Sequence, residues 1–559
     1  MNRDLFTMNQ AALVLAVFSF LSQIFGLLRD RLLASLIGPS ASLDTYYAAF
    51  RIPDFVYNSF GILFSVTVLI PFIAQYIEQE KAEGHPNALK RFLNSIFTVY
   101  VGGMTALSLV LIAIMPWLTK LVAPGFAPAE LASVVLYSRI ILAQTFLFGL
   151  SSLLSSFAQV QKKFFAFAIA PLFYNLGILV GILVFRPLFG MLGVVLGVAL
   201  GAVLYFCVQL PTLIKLGKFP KLSLGVDWKA IKQVMLLSLP RTLGSSLTNI
   251  TFIVIGAIAS LLAAGSISIF QFSYNIENTP LLIIGVSYAV AAFPTMTRLF
   301  AEGDKKEMLN VLYRTTRSIF FLCVPASFLI IVLRAHIVRL LLGAGVFSWN
   351  DTRLVAASVA LFAISIAAQC MVLLLVRAFY ATGNTKTPLL VNIFSVFVTL
   401  GSVVGLLFLY RYSVFFHNFL NSLLRIDGTE GSTVVLLPLG FSLGQTLNAI
   451  LLWARFHKKM SGTKAENNTL SRTLAHITAA GIIAAATAYG ILVLAGNGVE
   501  QNHFFGVLVQ AGVAAASGLA IYGIVLRALR NEDILFFIET ARSRFWKQKP
   551  IIVQEEQEL

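Results

Sequence analysis

Charge is what this sequence has least of. Charged residues make up 12% of its 559 residues, about half the share that is usual in a soluble globular domain. Hydrophobic residues reach 58%, which excludes an ordinary soluble protein. The alternating segments of roughly ten residues that mark an outer-membrane barrel are also missing. We therefore predict an all-α, polytopic membrane protein.

Cysteine and the common catalytic motifs are similarly scarce. The chain has three cysteines, at no metal-ligand spacing, so we predict packing roles for Cys207, Cys323 and Cys370 and no disulfide. There is no GxxxxGK[ST] phosphate loop and no HExxH pair, and the six histidines are scattered. These absences predict that the protein is not an enzyme and holds no cofactor or metal, although a coupling Na⁺ or H⁺ remains possible.

Long apolar runs are abundant. About fourteen of them exceed roughly 18 residues, which is long enough for a helix to cross a bilayer core. Their order predicts an N-terminal six-helix bundle over 1–218, a C-terminal six-helix bundle over 219–460, two additional transmembrane helices over 461–530 and a cytoplasmic amphipathic tail over 531–559.

The two predicted six-helix bundles share short sequence words in the same order. ASLI at Ala34 reappears as ASLL at Ala259, and PLFYN at Pro171 reappears as PLLVN at Pro388. Such a pattern indicates a duplication in which both halves keep the same orientation. Transporters built in this way bind their cargo between the halves.

The net charge of +17 comes from basic residues that lie mainly in alternate short loops. This distribution follows the positive-inside rule, and it places both termini in the cytoplasm. It indicates membrane lipids rather than nucleic acid as the partner of the basic surface.

A group of charges inside the first two spans departs from this rule. An ionisable side chain facing lipid costs roughly 2.5 kcal/mol or more, so a group of them is expected to line a protein interior or a water-filled cavity. Guanidinium groups bind phosphate bidentately, which predicts an anionic, phosphorylated cargo. The predicted substrate-binding residues, including one arginine from the second half, are Arg29, Asp30, Arg31, Asp44, Arg51 and Arg241. The alternative is that the first arginines pair with neighbouring aspartates as anchors at a helix end.

The eighth span carries a second polar group before Pro280. Proline in a helix frees a backbone carbonyl that protein, water or ligand must satisfy. We predict an ion-coupling site here, for a proton or a sodium ion, formed by Glu277 with Asn275 and Asn278. A kink whose polar side chains satisfy one another is the alternative.

Several sequence words resemble one transporter family. GLLRDRLLASLIG from Gly26 and LDTYYAAFRIPDF from Leu43 resemble the opening helices of the MurJ (MviN) lipid II flippases, in the multidrug/oligosaccharidyl-lipid/polysaccharide exporter superfamily. APGF at Ala123, PLFYNLG at Pro171 and FYATGNTKTP at Phe379 extend the resemblance. It implies an inner-membrane carrier of undecaprenyl-pyrophosphate-linked peptidoglycan precursor, from inner to outer leaflet, by alternating access and driven by the membrane potential or an ion gradient.

The resemblance has gaps at charged positions. Arg29, Asp30 and Asp44 match the family's motif. Gln23 stands where the family usually has an arginine, and Tyr57 and Asn58 replace its paired arginines. In the eighth span, the family's arginine and glutamate are replaced by a pair of asparagines, Asn275 and Asn278. We expect the missing charges to be supplied by Arg31, Arg51 and Arg241.

Three alternatives to a lipid II flippase stay open from the sequence. A related polysaccharide-lipid flippase or a cation-coupled exporter of the same superfamily would share these helices. A membrane glycosyltransferase or ligase acting on a polyprenyl-linked sugar would also need arginines for pyrophosphate. For the flippase, we expect a lipid-linked anionic substrate, a monomer, and association with the cell-wall synthesis machinery.

Overall fold

In the computed structural model, the described residues are 2–64, 66–82, 87–161, 163, 165–215, 220–460, 464–496, 504–531 and 534. Within these ranges every regular element is a helix and no strand is present, which confirms the predicted all-α class. The predicted amphipathic tail lies outside the described residues apart from Asn531 and Ile534.

The α-helices in chain order are α1 (Asn2–Leu36), α2 (Ala41–Ser59), α3 (Val66–Ala82), α4 (Ala88–Val122), α5 (Pro128–Val160), α6 (Phe165–Val180), α7 (Arg186–Phe189), α8 (Met191–Cys207), α9 (Leu210–Lys215), α10 (Trp228–Ser260), α11 (Ser266–Pro280), α12 (Ser287–Ala301), α13 (Lys305–Leu342), α14 (Trp349–Ala363), α15 (Ile366–Ala381), α16 (Lys386–Tyr412), α17 (Val414–Leu424), α18 (Leu436–Lys459), α19 (Lys464–Gly496) and α20 (Phe504–Ala528). Short 3₁₀ turns occupy Gly61–Phe64 and Ser432–Val435, and π-helical turns occupy Gly181–Phe185 and Leu281–Val286.

Ten helical stretches in the described part of the chain are long and apolar enough to cross a membrane. The count becomes eleven if α14 and α15, which are bent by 45°, form one span. The other predicted spans fall on the charge-bearing α1, on α2 with α3, and on α10, whose apolar part is Ser246–Ser260. The charges of the opening helices lower their hydropathy, and the protein has to shelter them.

The contacts divide the chain into two units. The first unit contains Met1–Asn275, Leu341–Ser358 and Leu389–Gly444. The second unit contains Ile276–Leu340, Val359–Pro388 and Gln445–Leu559. The predicted division into two repeated six-helix halves stays a prediction.

Two hydrogen bonds fix helix α2 in the first unit, one from its own N-cap residue and one from α5. The Ser40 hydroxyl accepts from Leu43 N at 3.4 Å and so caps the start of α2. Pro53 lacks the N–H that would bond to Ala49 O, and Ser138 Oγ donates to that oxygen instead, at 3.0 Å. Neighbouring side chains often satisfy such a freed carbonyl in membrane helices. The hydrogen bond from Ser138 fixes the position of the α2 face that carries Arg51.

Glycines bring α6 and α8 of the first unit into backbone contact. A Cβ added at Gly177 would lie 2.2 Å from Gly201 Cα, and one added at Gly197 would lie 2.4 Å from Gly181 Cα. Small residues four apart are typical of closely packed membrane helices, because side-chain volume would separate their backbones.

Small residues also dominate the packing of α19, α20 and α13 in the second unit. Ala480, Ala484 and Ala514 are completely buried there. Tyr522 of α20 donates from its hydroxyl to Phe321 O of α13 at 2.8 Å. This bond anchors the last described helix to α13.

Candidate functional site

The first unit contains a polar cavity of about 570 Å³. Helices α1, α2, α5, α6, α10 and α11 supply its lining. We call this space the central cavity, and its lining residues are Arg29, Tyr46, Tyr47, Phe50, Arg51, Asp54, Asn58, Gln144, Tyr174, Ile178, Thr248, Asn249, Phe252, Gln271, Tyr274 and Asn275.

A continuous chain of hydrogen bonds joins the two arginines of the central cavity. Arg29 Nε and Nη2 lie 2.9 and 2.8 Å from Asp30 Oδ1. Asn275 Nδ2 donates to Asp30 Oδ2 at 2.9 Å, and Gln271 Nε2 donates to Asn275 Oδ1 at 2.8 Å. Arg51 Nη2 then donates to Gln271 Oε1 at 3.2 Å. This cavity network therefore connects α1, α2 and α11. Its members Arg29, Asp30, Arg51 and Asn275 were predicted from two distant parts of the sequence, and Gln271 completes it.

Arg51 has most of its hydrogen-bonding capacity unused. Its Nε atom is buried and has no partner in the described part of the chain. Its guanidinium carbon lies 5.7 Å from the ring centre of Phe252, within the range of a cation–π contact. A guanidinium has five N–H donors, so this group can accept an anionic ligand without first breaking an ion pair.

Asp54 and a group of aromatic rings complete the lining. The Asp54 side chain has no hydrogen-bond partner among the described residues, and Asn58 Nδ2 donates only to its backbone oxygen, at 2.9 Å. Phe252 packs edge-on against Tyr274, with ring centres 4.7 Å apart. Rings beside amides and a carboxylate can accommodate both the flat faces and the hydroxyl groups of a sugar.

Asp44 has a different environment from the other predicted residues. Gly265 N and Ser268 N donate to its two carboxylate oxygens at 2.7 and 2.8 Å, and Ser268 Oγ donates to Oδ1 at 2.5 Å. Asp44 is 2% exposed and does not line the central cavity. It caps the N-terminus of α11, where a negative charge is favourable. Position 265 requires glycine, because its φ is +91° and a Cβ there would lie 3.0 Å from the carbonyl carbon of Pro39.

We expect Asp44→Ala to lower the free energy of unfolding by about 3 kcal/mol, since it leaves buried amides at the start of α11 without an acceptor. The measurement is the thermal unfolding of the purified protein in detergent. Asp304→Ala is the matched control, because Asp304 is an exposed residue that accepts from Glu307 N at 2.9 Å near the start of α13. Equal losses in the two variants would contradict a special role for the buried cap.

The remaining predicted cargo residues are not all brought together. Arg31 does not line the central cavity. Arg241 lies in α10, and its side chain is outside the described residues. Asn58, where the resemblance left an arginine missing, donates from Nδ2 to Asn249 Oδ1 at 3.3 Å and so ties α2 to α10.

The predicted ion-coupling residues divide between the two units. Asn275 belongs to the cavity network of the first unit, whereas Glu277 and Asn278 belong to the second unit. Glu277 is completely buried and accepts a hydrogen bond from Gln369 Nε2 at 2.7 Å. Asn278 is half-buried. Among the described residues no group of three or more histidines, cysteines and carboxylates could hold a metal.

Sequence reasoning did not identify the residues that complete the central cavity. Gln271 links Asn275 to Arg51, and its polar side chain inside an apolar span was the available signal. The tyrosines were harder to find, because aromatic residues in a membrane helix usually pack against neighbours. The rings concerned are Tyr46, Tyr47, Tyr174 and Tyr274.

Apolar spanning helices around an arginine-bearing polar cavity define a membrane transporter. The family model for the lipid II flippase MurJ matches residues 33–509. The chain therefore belongs to the lipid II flippase MurJ family, whose members are transporters, and it is a multi-pass membrane protein.

Individual relatives agree with this assignment. The chain is 28% identical over 377 residues to a probable lipid II flippase MurJ of Rhizobium tropici, covering 66% of this chain and 70% of the relative. It is 27% identical over 400 residues to a probable lipid II flippase MurJ of Rickettsia prowazekii, with 70% and 77% covered. The lipid II flippase MurJ of Burkholderia cenocepacia is 26% identical over 398 residues, with 70% and 76% covered.

Solved structures show the same fold. A lipid II flippase MurJ in an inward closed conformation superposes with a TM-score of 0.72 at 18% identity, covering 93% of this chain and 100% of that one. An inward-facing multidrug resistance MATE family transporter of the MOP superfamily gives a TM-score of 0.63 at 15% identity, covering 79% and 96%. These likenesses place the helices in the fold shared by the two transporter families.

Proposed function

We propose that this protein moves lipid II, an undecaprenyl-pyrophosphate-linked peptidoglycan precursor, from the inner to the outer leaflet of the bacterial cytoplasmic membrane. Family membership supports the class of cargo. The observation that carries the proposal for this chain is the Arg51 guanidinium, which lies in the central cavity with a buried and unpartnered Nε. A cation with free donors inside a membrane protein suits a phosphate group.

In this proposal the pyrophosphate binds at Arg51 and Arg29. Arg29 is already oriented by Asp30, so it loses little conformational freedom when the cargo arrives. The sugars lie against the tyrosines, and a hydroxyl or amino group of the headgroup donates to Asp54. The polyprenyl chain stays in the lipid, and the transporter exposes the central cavity alternately to the two sides of the membrane.

The membrane potential favours the proposed direction. Moving one elementary charge through 100 mV is worth about 2.3 kcal/mol. Export of a headgroup with roughly two negative charges therefore gains about 5 kcal/mol from an inside-negative potential of that size. The proposed cycle needs no nucleotide, in keeping with the absence of a phosphate-loop motif from the sequence.

The proposal includes an orientation and an assembly state. Both termini face the cytoplasm, because the basic loops alternate along the sequence. The protein works as a monomer beside the enzymes that make and use the cargo, and its remaining partners are membrane lipids. Proteolysis or labelling of a C-terminal tag in inverted vesicles tests the orientation.

The test is transport by purified protein in liposomes. We expect lipid II headgroups to become accessible to an impermeant reagent on the far leaflet without any change in the chemical identity of the lipid. A second set of liposomes carries a polyprenyl-pyrophosphate polysaccharide precursor, and transport of that lipid alone would assign the protein to the alternative cargo. A changed lipid would instead indicate a glycosyltransferase or ligase. Rescue of bacteria depleted of their own lipid II flippase is the matching test in cells.

A further inference from the structure

One carboxyl group is buried in the second unit with half of its oxygens unused. Glu277, near the end of α11, is 0% exposed. Its Oε1 accepts from Gln369 Nε2 at 2.7 Å, and the same nitrogen lies 3.0 Å from Ser365 Oγ. Its Oε2 has no hydrogen-bond partner among the described residues. An ionised carboxylate normally engages both oxygens, so Oε2 is open for a ligand.

No basic side chain in the described part of the chain forms an ion pair with Glu277. Cys370 follows Gln369 in α15, and its Sγ lies 3.4 Å from Cys323 Sγ of α13. Tyr288 of α12 interacts electrostatically with Cys323. Arg377, farther along α15, donates from Nη1 to Val286 O at 3.3 Å. Neither Arg377 nor any other cation therefore lies within salt-bridge distance of the Glu277 carboxylate among the described residues.

The protein groups around Glu277 suit a proton better than a metal ion. No described group of three or more histidines, cysteines and carboxylates could hold a metal. Gln369 presents an N–H donor to Glu277 rather than an oxygen ligand. A proton on Oε2 removes the buried charge and needs no other ligand, whereas a sodium ion would need several oxygens around it.

The backbone is irregular on both sides of Glu277. Pro280 has no N–H to donate to Ile276 O, and the π-helical turn Leu281–Val286 follows directly. Ser365, which contacts Gln369, lies at the 45° bend between α14 and α15. Turns of this kind occur frequently at functional sites, because their backbone hydrogen bonds can rearrange.

We propose that Glu277 is a proton-binding site of the transporter, which accepts one proton from water on Oε2 and returns it to water once in each transport cycle. Loss of the proton changes the pairing with Gln369 and with it the bend at Ser365. Asn275 of the cavity network lies two residues before Glu277 in α11, so a change in this helix reaches the cargo site through the backbone. The cycle rests on the proposed function, but proton binding can be measured without cargo.

The direct test is infrared difference spectroscopy of the full-length protein in lipid, titrated with pH. We expect a protonated-carboxyl C=O band that shifts in D₂O, disappears as the pH rises and is missing in Glu277→Gln. Glu302→Gln is the matched control and should keep the band, because Glu302 is 57% exposed and lies 3.9 Å from Arg298. If Glu277→Gln does not fold, Gln369→Asn replaces it, and this variant should move the band by removing the hydrogen bond to Oε1. A band that is unchanged in the folded variants overturns the proposal.

The second test is lipid II transport in liposomes at different pH values. We expect the transport rate of the parent protein to change about tenfold per pH unit on one side of its pH profile, because binding of a single proton limits the rate there. Glu277→Gln should give a flat profile. A retained profile in Glu277→Gln, or a rate that follows sodium at constant pH, overturns the proton site. A parent protein that moves no lipid II contradicts the proposed function, while the infrared result still decides whether Glu277 binds a proton.

Discussion

Arg51→Ala should lower the rate of lipid II transport about 100-fold, in liposomes that contain equal amounts of folded protein. Truncating one member of a buried, hydrogen-bonded charge interaction costs about 3 kcal/mol, which corresponds to this factor. In the free protein the guanidinium makes one hydrogen bond, to Gln271 Oε1 at 3.2 Å. Comparing equal amounts of folded protein separates the loss of cargo binding from any loss of stability.

Arg51→Lys separates charge from geometry. A lysine keeps the positive charge but cannot bind pyrophosphate with a planar pair of donors, so we expect an intermediate rate. Arg298→Ala is the matched control, because the Arg298 side chain is 70% exposed and pairs only weakly with Glu302. Transport by Arg51→Ala at the rate of the Arg298 control would show that Arg51 does not hold the cargo.

Gly197→Val should prevent accumulation of folded protein. The first side-chain atom would lie 2.4 Å from Gly181 Cα and 2.9 Å from Gly181 N, which are backbone atoms that cannot turn aside. Helices α6 and α8 would have to separate. Close packing is what holds membrane helices together, so few other contacts would compensate the loss. The measurement is the yield of monodisperse protein by size-exclusion chromatography after extraction in mild detergent.

Gly102→Val controls for the change in residue type. Gly102 also lies within a membrane-spanning helix, α4, but a Cβ there would meet no atom within 4 Å. We expect near-normal yield and thermal stability from this variant. Similar yields from the two valine variants would contradict the structural role assigned to the α6–α8 contact.

The class of fold could be predicted from the sequence because it depends on apolar runs and on the scarcity of charge. The interruptions of the spans could not be predicted as easily. The break between α2 and α3 and the bend at Ser365 depend on how neighbouring helices replace lost backbone hydrogen bonds. Ser138, which donates to Ala49 O, is such a partner, and its sequence position alone does not indicate that role.

Some residues of the central cavity could be predicted from the sequence, and others could not. Charge inside a span indicated Arg29 and Arg51, because a charged side chain at membrane depth needs a sheltered place. The same reasoning grouped Asp44 with them, although its carboxylate caps α11. In the sequence, Asp44 is one more charged residue of the same stretch as Arg29 and Arg51, and nothing there separates a helix cap from a cavity residue. Gln271 connects residues far apart in the chain, and only tertiary packing brings them together.

The most direct test of the cargo site is the structure of the protein bound to lipid II, with the two phosphorus atoms located in the map. We expect phosphate oxygens within hydrogen-bonding distance of Arg51 Nε and of the Arg29 guanidinium, inside the central cavity. A pyrophosphate bound elsewhere, with both guanidinium groups keeping only the contacts to Asp30 and Gln271, would contradict it.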